Sequence, residues 1–406
     1  MLKNNLKKYF PWFKNNNNWI YLDSAATSLK PIAVIKKIEE YYTKYSTNPH
    51  NNDSSIASKV NQDIKKVRSN ISNFFNVEQN EIVFTSGATD GLNLIQSNVI
   101  KWLKQDDEVV VSYGEHSSNL LPWLNARNNK KIKLVFAKDK NNKPSETAFI
   151  NAITKKTKVI SFSNASNLFD YQIDVKNIVK HARKINKNII VIVDATQSVP
   201  HTKFDARNND VDFFVCSAHK MCGPSGIGIM YGKYKHLIKM EPNTYGGGMV
   251  STVENNGKIN LAPPPERFEA GTPNTEAILG FGAAIDFLKK IGMNNINNHE
   301  IELKKYIDQQ FKHIKNIEYV TKDNIYPIVS FNIKGVNPQD LANYLGTNKI
   351  IVRGGMACVK MQGMFSNNPN GYVRASFYLY NDKKDVDRLV TVLKNFDQKK
   401  QFKNIL

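Results

Sequence analysis

The stretch VDFFVCSAHKMCGPSGIGIMYG, residues 211–232, decides the fold, because it sets two apolar runs on either side of a polar, glycine-containing turn. Such continuous apolar runs, without the alternation of a half-exposed strand, predict strands that are covered on both faces. Ser217, His219 and Lys220 stand at the end of the first run. An ammonium group taken out of water is costly unless it is paired or neutralised. Either Lys220 escapes into solvent at the end of the strand, or the fold requires an amine there.

Similar apolar runs precede this stretch, and helical patterns such as 89–105 and 174–187 separate them. Strands and helices that alternate in this way predict an α/β fold with a large, doubly wound, mainly parallel sheet. The predicted strands span 81–87, 107–114, 131–137, 158–164, 188–197, 211–220 and 226–232.

The pattern changes near residue 275, where long helices are followed by a mixture of strands and helices. The helical patterns lie at 276–292, 298–314, 337–346 and 383–398, with a strand at 326–333. This succession predicts a smaller α+β domain, and a chain of 406 residues is long enough for two hydrophobic cores. We place the large domain at 22–290 and the small domain at 1–21 together with 291–406.

The chain carries a formal net charge of +20, which raises the question of a nucleic-acid or membrane partner. The basic residues are dispersed among many asparagines, and no arginine-rich stripe or aromatic ladder accompanies them. We therefore expect no nucleic-acid partner, whereas attraction of an acidic protein stays an alternative. No run approaches the roughly 18 apolar residues of a membrane span, and the start lacks the apolar core of a signal peptide, so we expect no membrane partner.

The three cysteines, at 216, 222 and 358, are too few for a disulfide framework in a chain of this size. Their number favours a reducing cytoplasm, in which each thiol is free. Cys216 and Cys222 flank His219 at a spacing that resembles a metal cluster, but a second ligand pair is missing and Cys216 lies within a strand. We predict no metal site.

Polar residues end several of the predicted strands. In parallel sheets, ligands bind in the crevice beyond the carboxyl ends of the strands, so we expect these side chains to converge. The set comprises Ser86, Gly87, Ala88, Thr89, His116, Asn167, Asp194, Gln197, Ser217, Ala218, His219 and Lys220.

This set fits one ligand better than others. Pyridoxal phosphate needs an amine for its Schiff base, a carboxylate for its pyridinium nitrogen and a cup of donors for its phosphate. Lys220 supplies the amine and later a proton-transfer group, and Asp194 supplies the carboxylate. The turn SGATDG at 86–91 opens a helix, so its backbone N–H groups form an anion site. His116 either stacks on the ring or is an ordinary histidine of a loop.

The sequence resembles the fold-type-I pyridoxal-phosphate enzymes of the class V aminotransferase-like branch, and among them the Suf-type (group II) cysteine desulfurases. The resemblance covers nearly the whole chain. The segments that carry it are YLDSAATSLKP (21–31), GATDGLNLI (87–95), EHSSNLLPW (115–123), VDATQSV (193–199), CSAHKMCGPSGIGIMYG (216–232), RFEAGTPNT (267–275), RGGMAC (353–358) and YVRASFYLYN (372–381).

The resemblance implies a role for each matching residue. Lys220 corresponds to the Schiff-base lysine and Asp194 to the partner of the pyridinium nitrogen, while Gln197 would bind the ring hydroxyl and His116 would stack on the ring. Arg374, helped by Asn167, would hold the substrate α-carboxylate. The residues that match the phosphate cup are Ala88, Thr89, Ser217, His219 and Thr272, the last supplied by the neighbouring subunit of a homodimer.

Cys358 is the residue that the resemblance makes decisive. A lone cysteine is commonly a small buried hydrophobe, but this one lies in a glycine-containing stretch with Arg353 five positions upstream. A neighbouring guanidinium favours the thiolate. By the resemblance, Cys358 would take the sulfur of L-cysteine as a persulfide and release L-alanine.

The sequence also departs from the Suf-type pattern. Met356 and Ala357 replace two histidines before the cysteine, and the histidine pair after Glu115 is reduced to His116-Ser117. In the stretch NPHNNDSS (48–55), His50 is kept but Asn51 replaces the usual arginine. The stretch 253–271 reads as an ordered loop or hairpin, and the long segment 246–270, which overlaps it, is similar to the group II interface hairpin.

We therefore predict a cytoplasmic, homodimeric cysteine desulfurase that feeds iron–sulfur cluster assembly or thio-modification. Its sulfur would pass to an acceptor or scaffold protein of the SufU, SufE or IscU kind. A selenocysteine lyase, an aminotransferase or another lyase of the same fold is the first alternative. A basic, nucleic-acid-binding protein that keeps the fold as a scaffold is the second, and Lys220 with Asp194 argues against it.

Overall fold

The computed structural model describes residues 6–49, 52–130, 132–169, 171–322, 325–364, 366 and 368–397. The strands are β1 (Ile20–Tyr21), β2 (Ile82–Thr85), β3 (Glu108–Val111), β4 (Lys133–Phe136), β5 (Thr157–Ser163), β6 (Ile190–Asp194), β7 (Phe213–Ser217), β8 (Gly228–Gly232), β9 (Val250–Val253), β10 (Ile259–Leu261), β11 (Ile317–Tyr319), β12 (Ile328–Ile333), β13 (Ile350–Ile351), β14 (Arg353–Gly355) and β15 (Tyr372–Ser376). The α-helices are α1 (Pro11–Asn15), α2 (Ile32–Glu40), α3 (Ser55–Phe75), α4 (Ala88–Trp102), α5 (Ser117–Lys130), α6 (Glu146–Ala152), α7 (Val175–Ile185), α8 (Tyr234–Leu237), α9 (Thr275–Ile291), α10 (Met293–Phe311), α11 (Pro338–Thr347) and α12 (Lys383–Lys394).

The large sheet has the strand order β2-β8-β7-β6-β5-β3-β4, and every strand except β8 runs parallel to the others. The predicted α/β class and mainly parallel sheet are therefore confirmed. Successive residues of β6 point into two different apolar clusters: Val191 and Val193 into one, Ile192 into the other. Both faces of the sheet are thus covered by helices, which explains the continuous apolar runs.

One glycine allows the sheet edge to close tightly. A Cβ atom built on Gly228 of β8 would lie 2.5 Å from the carbonyl oxygen of Cys216 and 2.8 Å from the Cα of Gly87. Gly87 immediately precedes α4, so β8 packs directly beneath the turn that opens this helix. The absence of a side chain at position 228 therefore allows the predicted anion-binding turn to lie this close to β8.

A second sheet, of order β11-β12-β15-β14, is antiparallel throughout. Apolar side chains of α10, α11 and α12 join it in an apolar cluster of its own. In the register of β14 and β15, Arg353 lies opposite Arg374, so two guanidinium groups project from neighbouring strands. The division into domains at 22–290 and at 1–21 with 291–406 stays a prediction.

Two shorter pairings complete the fold. β1 runs parallel to β13, so the segment before residue 22 reaches the neighbourhood of the second sheet. β9 and β10 form an antiparallel hairpin at 250–261, where the sequence indicated a loop or hairpin. Among the residues that the structure describes, no helix is long and apolar enough to cross a membrane.

Candidate active site

A cavity of about 260 Å³ lies at the carboxyl ends of β5, β6 and β7. The walls contain twelve of the thirteen residues that the sequence assigned to the site, which the fold therefore brings together from distant parts of the chain. These twelve are Ala88, Thr89, His116, Asn167, Asp194, Gln197, Ser217, His219, Lys220, Arg353, Cys358 and Arg374.

Lys220 lies at the wall of this cavity, half-buried, at the end of a short turn that follows β7. Burial lowers the pKa of its ammonium to about 8; the carboxylate of Asp194 opposes this shift, and the guanidinium of Arg374 adds to it. Asp194 ends β6 and is buried, and its Oδ1 accepts the N–H of Thr196 at 3.0 Å. Of the two alternatives for Lys220, the fold selects an amine held within the site.

The carbonyl oxygen of His219, one residue before the lysine, gathers several donors. It accepts the N–H of Ser28 at 2.8 Å, the Ser28 hydroxyl at 2.9 Å, the Thr27 hydroxyl at 3.2 Å and Nζ of Lys30 at 3.1 Å. These contacts fix the turn that carries Lys220. The sequence analysis used the segment 21–31 only for the family resemblance and gave its residues no role in the site. Its hydroxyl residues, followed by a lysine and a proline, were the one sign in the sequence that it could hold another turn.

The predicted anion cup lies where α4 begins. The N–H of Ala88 donates to Oγ of Ser217 at 2.8 Å, and the hydroxyls of Thr89 and Ser118 are 2.7 Å apart. Burial, together with the charge of Lys220, lowers the pKa of His219 to about 4, so its imidazole is neutral near pH 7. The cup therefore offers hydroxyl and N–H donors at the positive end of a helix dipole.

His116 is half-buried beside the same helix terminus. Its Nδ1 accepts the backbone N–H of Ser118 at 3.2 Å, which leaves Nε2 to carry the proton of the neutral ring. Burial lowers the pKa of His116, although the charge of Asp194 opposes this shift. The imidazole is thus held in one tautomer and one orientation at the cavity wall.

Arg374 is buried on β15 and is held from two sides. Its Nη2 donates to Oδ1 of Asp23 at 2.7 Å, and its Nη1 donates to the carbonyl oxygen of Asn167 at 3.1 Å. Its Nε, also buried, has no hydrogen-bond partner within the described part of the chain. Burial lowers the pKa of Arg374, and the Asp23 carboxylate opposes that shift. These two contacts orient the guanidinium and use two of its five N–H donors.

Asn167 contacts the cysteine loop through its side chain. Its Nδ2 donates to the carbonyl oxygen of Ala357 at 2.6 Å, whereas only its backbone carbonyl meets Arg374. The predicted helper of Arg374 therefore joins the arginine and the loop. Asp23, which the sequence reasoning did not assign, is the carboxylate partner of Arg374.

Cys358 follows β14 and is exposed, whereas Cys216 and Cys222 are buried. Burial raises the pKa of both buried thiols, to about 12 for Cys222. Only the thiol of Cys358 therefore lies on the cavity wall in a residue open to solvent. The two buried thiols are thus held in their neutral form, and the reactive role predicted for Cys358 falls on the exposed cysteine.

Thr272 lies outside the main cavity. It is exposed and lines a different cavity of about 240 Å³, beside Thr244 and Phe268. His50 and Asn51 lie outside the described residues. No group of three or more metal-ligating side chains occurs in the ranges given above for the structure.

The donor set fits pyridoxal phosphate. An amine of lowered pKa, a buried carboxylate, a histidine fixed in one tautomer and a helix terminus with hydroxyls line one cavity. Each is a group that this cofactor requires at its aldehyde, ring nitrogen, ring face and phosphate. The fold and the site together define the class of fold-type-I, pyridoxal-phosphate-dependent enzymes.

The comparisons with known proteins agree. Residues 20–389 match the model of the family "Aminotransferase class-V". A protein of Ureaplasma parvum named probable cysteine desulfurase is 44% identical over 99% of this chain and 100% of its own length. The apo structure of the cysteine desulfurase from Thermococcus onnurineus covers 96% of each chain at 31% identity with a TM-score of 0.90. The cysteine desulfurase CsdA of Escherichia coli covers 97% of this chain and 98% of its own at 28% identity, with a TM-score of 0.87. The chain belongs to the class-V aminotransferase family and to its cysteine desulfurase branch.

Proposed function

We propose that this protein converts L-cysteine to L-alanine and carries the removed sulfur atom as a persulfide on Cys358. The observation that carries the proposal is the position of Cys358 on the wall of the cavity that also contains Lys220 and Arg374. An amine, a carboxylate-binding arginine and an accessible thiol in one cavity are the three groups that this reaction needs from the protein.

Bound pyridoxal phosphate would supply an electron-withdrawing ring that weakens bonds at the substrate α-carbon. Asp194 would hold the ring nitrogen, and the start of α4 with Ser217 would hold the phosphate. Arg374, oriented by Asp23, would bind the substrate α-carboxylate through N–H donors that its contacts to Asp23 and Asn167 leave unused. Lys220 would move the proton at the α-carbon, a task suited to an amine whose pKa lies near 8.

The sulfur balance of the reaction closes on the protein. The thiol of Cys358 takes the sulfur atom of L-cysteine, so a Cβ–S bond breaks, an S–S bond forms and the substrate carbon skeleton leaves as L-alanine with the proton. A thiol acceptor must then remove the sulfur atom and restore the Cys358 thiol. Exposure of Cys358 supports delivery to a second protein.

The finer assignment is a Suf-type, homodimeric enzyme. Thr272 is exposed and lies away from the cavity of its own chain, which is the placement expected of a residue that completes the site of a partner subunit. Val253 and Ile259 of the hairpin 250–261 are also exposed and apolar, as an interface would require. We also propose the predicted domain division, a cytoplasmic location and a role in iron–sulfur cluster assembly or thio-modification, and these rest on the sequence pattern, the three free cysteines and the family resemblance.

The direct experiment incubates the purified protein, loaded with cofactor, with L-cysteine and a reductant, and measures alanine and sulfide. We expect equal amounts of both products. Cys358→Ser should abolish sulfide release, and Lys220→Ala should abolish turnover together with the cofactor's visible absorbance. The matched control is Cys216→Ser, because this cysteine is buried within β7 and has no part in the reaction.

A selenocysteine lyase is the second candidate, and Cys358 separates the two. If Cys358→Ser released sulfide from cysteine at the rate of the unchanged protein, the persulfide route would be wrong. Activity on selenocysteine alone, surviving in the same variant, would then favour the lyase.

A further inference from the structure

The loop that carries Cys358 is fastened to the rest of the site by Ser117, the first residue of α5. The backbone N–H of Ser117 donates to the carbonyl oxygen of Cys358 at 3.0 Å, and its hydroxyl donates to the same oxygen at 2.8 Å. We propose that Ser117 is a positioning residue, which latches the cysteine loop against the cavity and whose release frees the persulfide for transfer. The proposal rests on the proposed function.

The loop is strained in the latched state. Ala357 and Cys358 have φ angles of 45° and 64°, so two consecutive residues with side chains occupy the left-handed region. Such residues carry a conformational cost that the surrounding structure must offset. The contacts that offset it include the two hydrogen bonds from Ser117 and the one from Asn167 to Ala357, beside the packing of Ala357 on the core and the bond from the Val359 N–H to the Met356 carbonyl within the turn. When the hydrogen bond from Ser117 is lost, the conformational cost at Ala357 and Cys358 is no longer fully offset, and the loop leaves its docked position.

Ser117 lies between two residues that contact the proposed cofactor site. His116 precedes Ser117 in the chain, and Ser118 follows it. Nδ1 of His116 accepts the N–H of Ser118, and the hydroxyl of Ser118 contacts that of Thr89 at the opening of α4. Three successive residues thus join the loop, the ring-stacking histidine and the anion cup. A shift of this segment on cofactor or substrate binding would therefore reach the Cys358 carbonyl directly.

Position 117 is also one of the positions where the sequence departs from the Suf-type pattern, since a serine stands where a second histidine is usual. Serine can donate its hydroxyl and its N–H to one carbonyl at the same time, as the two distances show. The departure therefore has a physical consequence in this chain: a short side chain lets the loop dock close to the start of α5.

Hydrogen–deuterium exchange of the full-length, cofactor-loaded protein tests the latch. Ser117→Ala removes the hydroxyl donor, and we expect amides of residues 352–364 to exchange about two- to tenfold faster, the range for one hydrogen bond. The same variant should lower kcat for alanine formation by a similar factor and leave the KM for cysteine unchanged, because the thiol and not the substrate is displaced. Ser117→Thr keeps the hydroxyl and should restore both values.

The matched control is Ser97→Ala on α4, whose hydroxyl contacts Leu94 and Asn243 and does not line the cavity. It should leave exchange of the loop and kcat unchanged. Equal exchange of 352–364 in Ser117→Ala and the unchanged protein would overturn the latch, and failure of Ser117→Thr to restore exchange would remove the hydroxyl as its cause. If the unchanged protein made no alanine from cysteine, the proposed function would fall, while the exchange measurement would still decide on the latch.

Discussion

The lowered pKa of Lys220 leads to a quantitative expectation for cofactor capture. With a pKa of about 8 in place of 10.5, the neutral fraction of this amine at pH 7 is about 9%, compared with about 0.03% for an ordinary lysine, by the titration equation. Only the neutral amine reacts with an aldehyde. The reactive, neutral fraction of Lys220 at pH 7 is therefore about 300-fold that of an ordinary lysine, and the cofactor-free protein should capture pyridoxal phosphate faster at pH 7 for that reason.

The assay follows the visible absorbance that appears when cofactor-free protein is mixed with pyridoxal phosphate between pH 6 and pH 11. The rate should rise with pH and level off above a midpoint near 8. Two substitutions should move this midpoint in opposite directions. Asp194→Asn removes a negative charge that raises the pKa of Lys220, so the midpoint should fall; Arg353→Gln removes a positive charge that lowers it, so the midpoint should rise by a smaller amount.

A midpoint near 10.5 in the unchanged protein would refute the reasoning, because it would place the amine in a water-like environment. So would a shift in the same direction for both substitutions, since the two charges have opposite signs. Because Asp194 is also proposed to hold the ring nitrogen of the cofactor, the rates at different pH values are compared within one variant and not between variants.

Three further predictions concern binding and stability. Arg374→Ala should raise the KM for cysteine about ten- to a hundredfold, the worth of a charged hydrogen bond, and lower Tm because Asp23 loses its partner; an unchanged KM would place the carboxylate clamp elsewhere. Burial raises the pKa of Glu115 to about 7, so the folded state holds this proton more tightly than the unfolded chain, and stability should fall as pH rises from about 4.5 through 7. Glu115→Gln should remove that fall, so the Tm of the variant relative to that of the unchanged protein should rise between pH 5 and pH 8. Parallel Tm curves for the two proteins would contradict the raised pKa of Glu115. Gly228→Ala should destabilise the protein by about 1–3 kcal/mol through its clash with Cys216 and weaken cofactor binding, which thermal unfolding and cofactor titration measure; binding unchanged at a lower Tm would separate this glycine from the anion cup.

The sequence predicted the large sheet well, for a physical reason. Strands covered on both faces need continuous apolar runs, and these are visible without knowledge of any long-range contact. The convergence of Asp194 and Lys220 followed from the same reading, because parallel strands end at one edge. The reversed direction of β8 follows from the short link after β7, which has no room for the crossover that a parallel strand requires.

Other contacts of the site could not be read from the pattern. Asp23 and Arg374 are separated by 351 residues, and Ser117 and Cys358 by 241. Neither periodicity nor spacing encodes such pairings. The side chain of Asn167 was assigned by resemblance to the neighbourhood of Arg374, and its hydrogen bond to Ala357 depends on how the second sheet meets the first. The ends of the predicted strands and the family resemblance thus indicated which residues face the cavity, and tertiary packing determines which of them hold one another.

The charge of the cavity explains why two sheets contribute to it. The cavity wall carries three cationic side chains: Lys220 beyond the large sheet, and Arg353 and Arg374 on the second sheet. Asp194 is the carboxylate among the described residues that line the cavity, so cationic groups outnumber anionic ones there. Such an excess is costly in a buried site unless anions compensate it. A cofactor phosphate and a substrate carboxylate are such anions, and Asp23 supplies a third from behind Arg374. The second sheet and the loop after β14 thus place two cationic side chains and the thiol of Cys358 on one cavity wall, where the charge would attract an anionic substrate to the thiol that is proposed to take its sulfur.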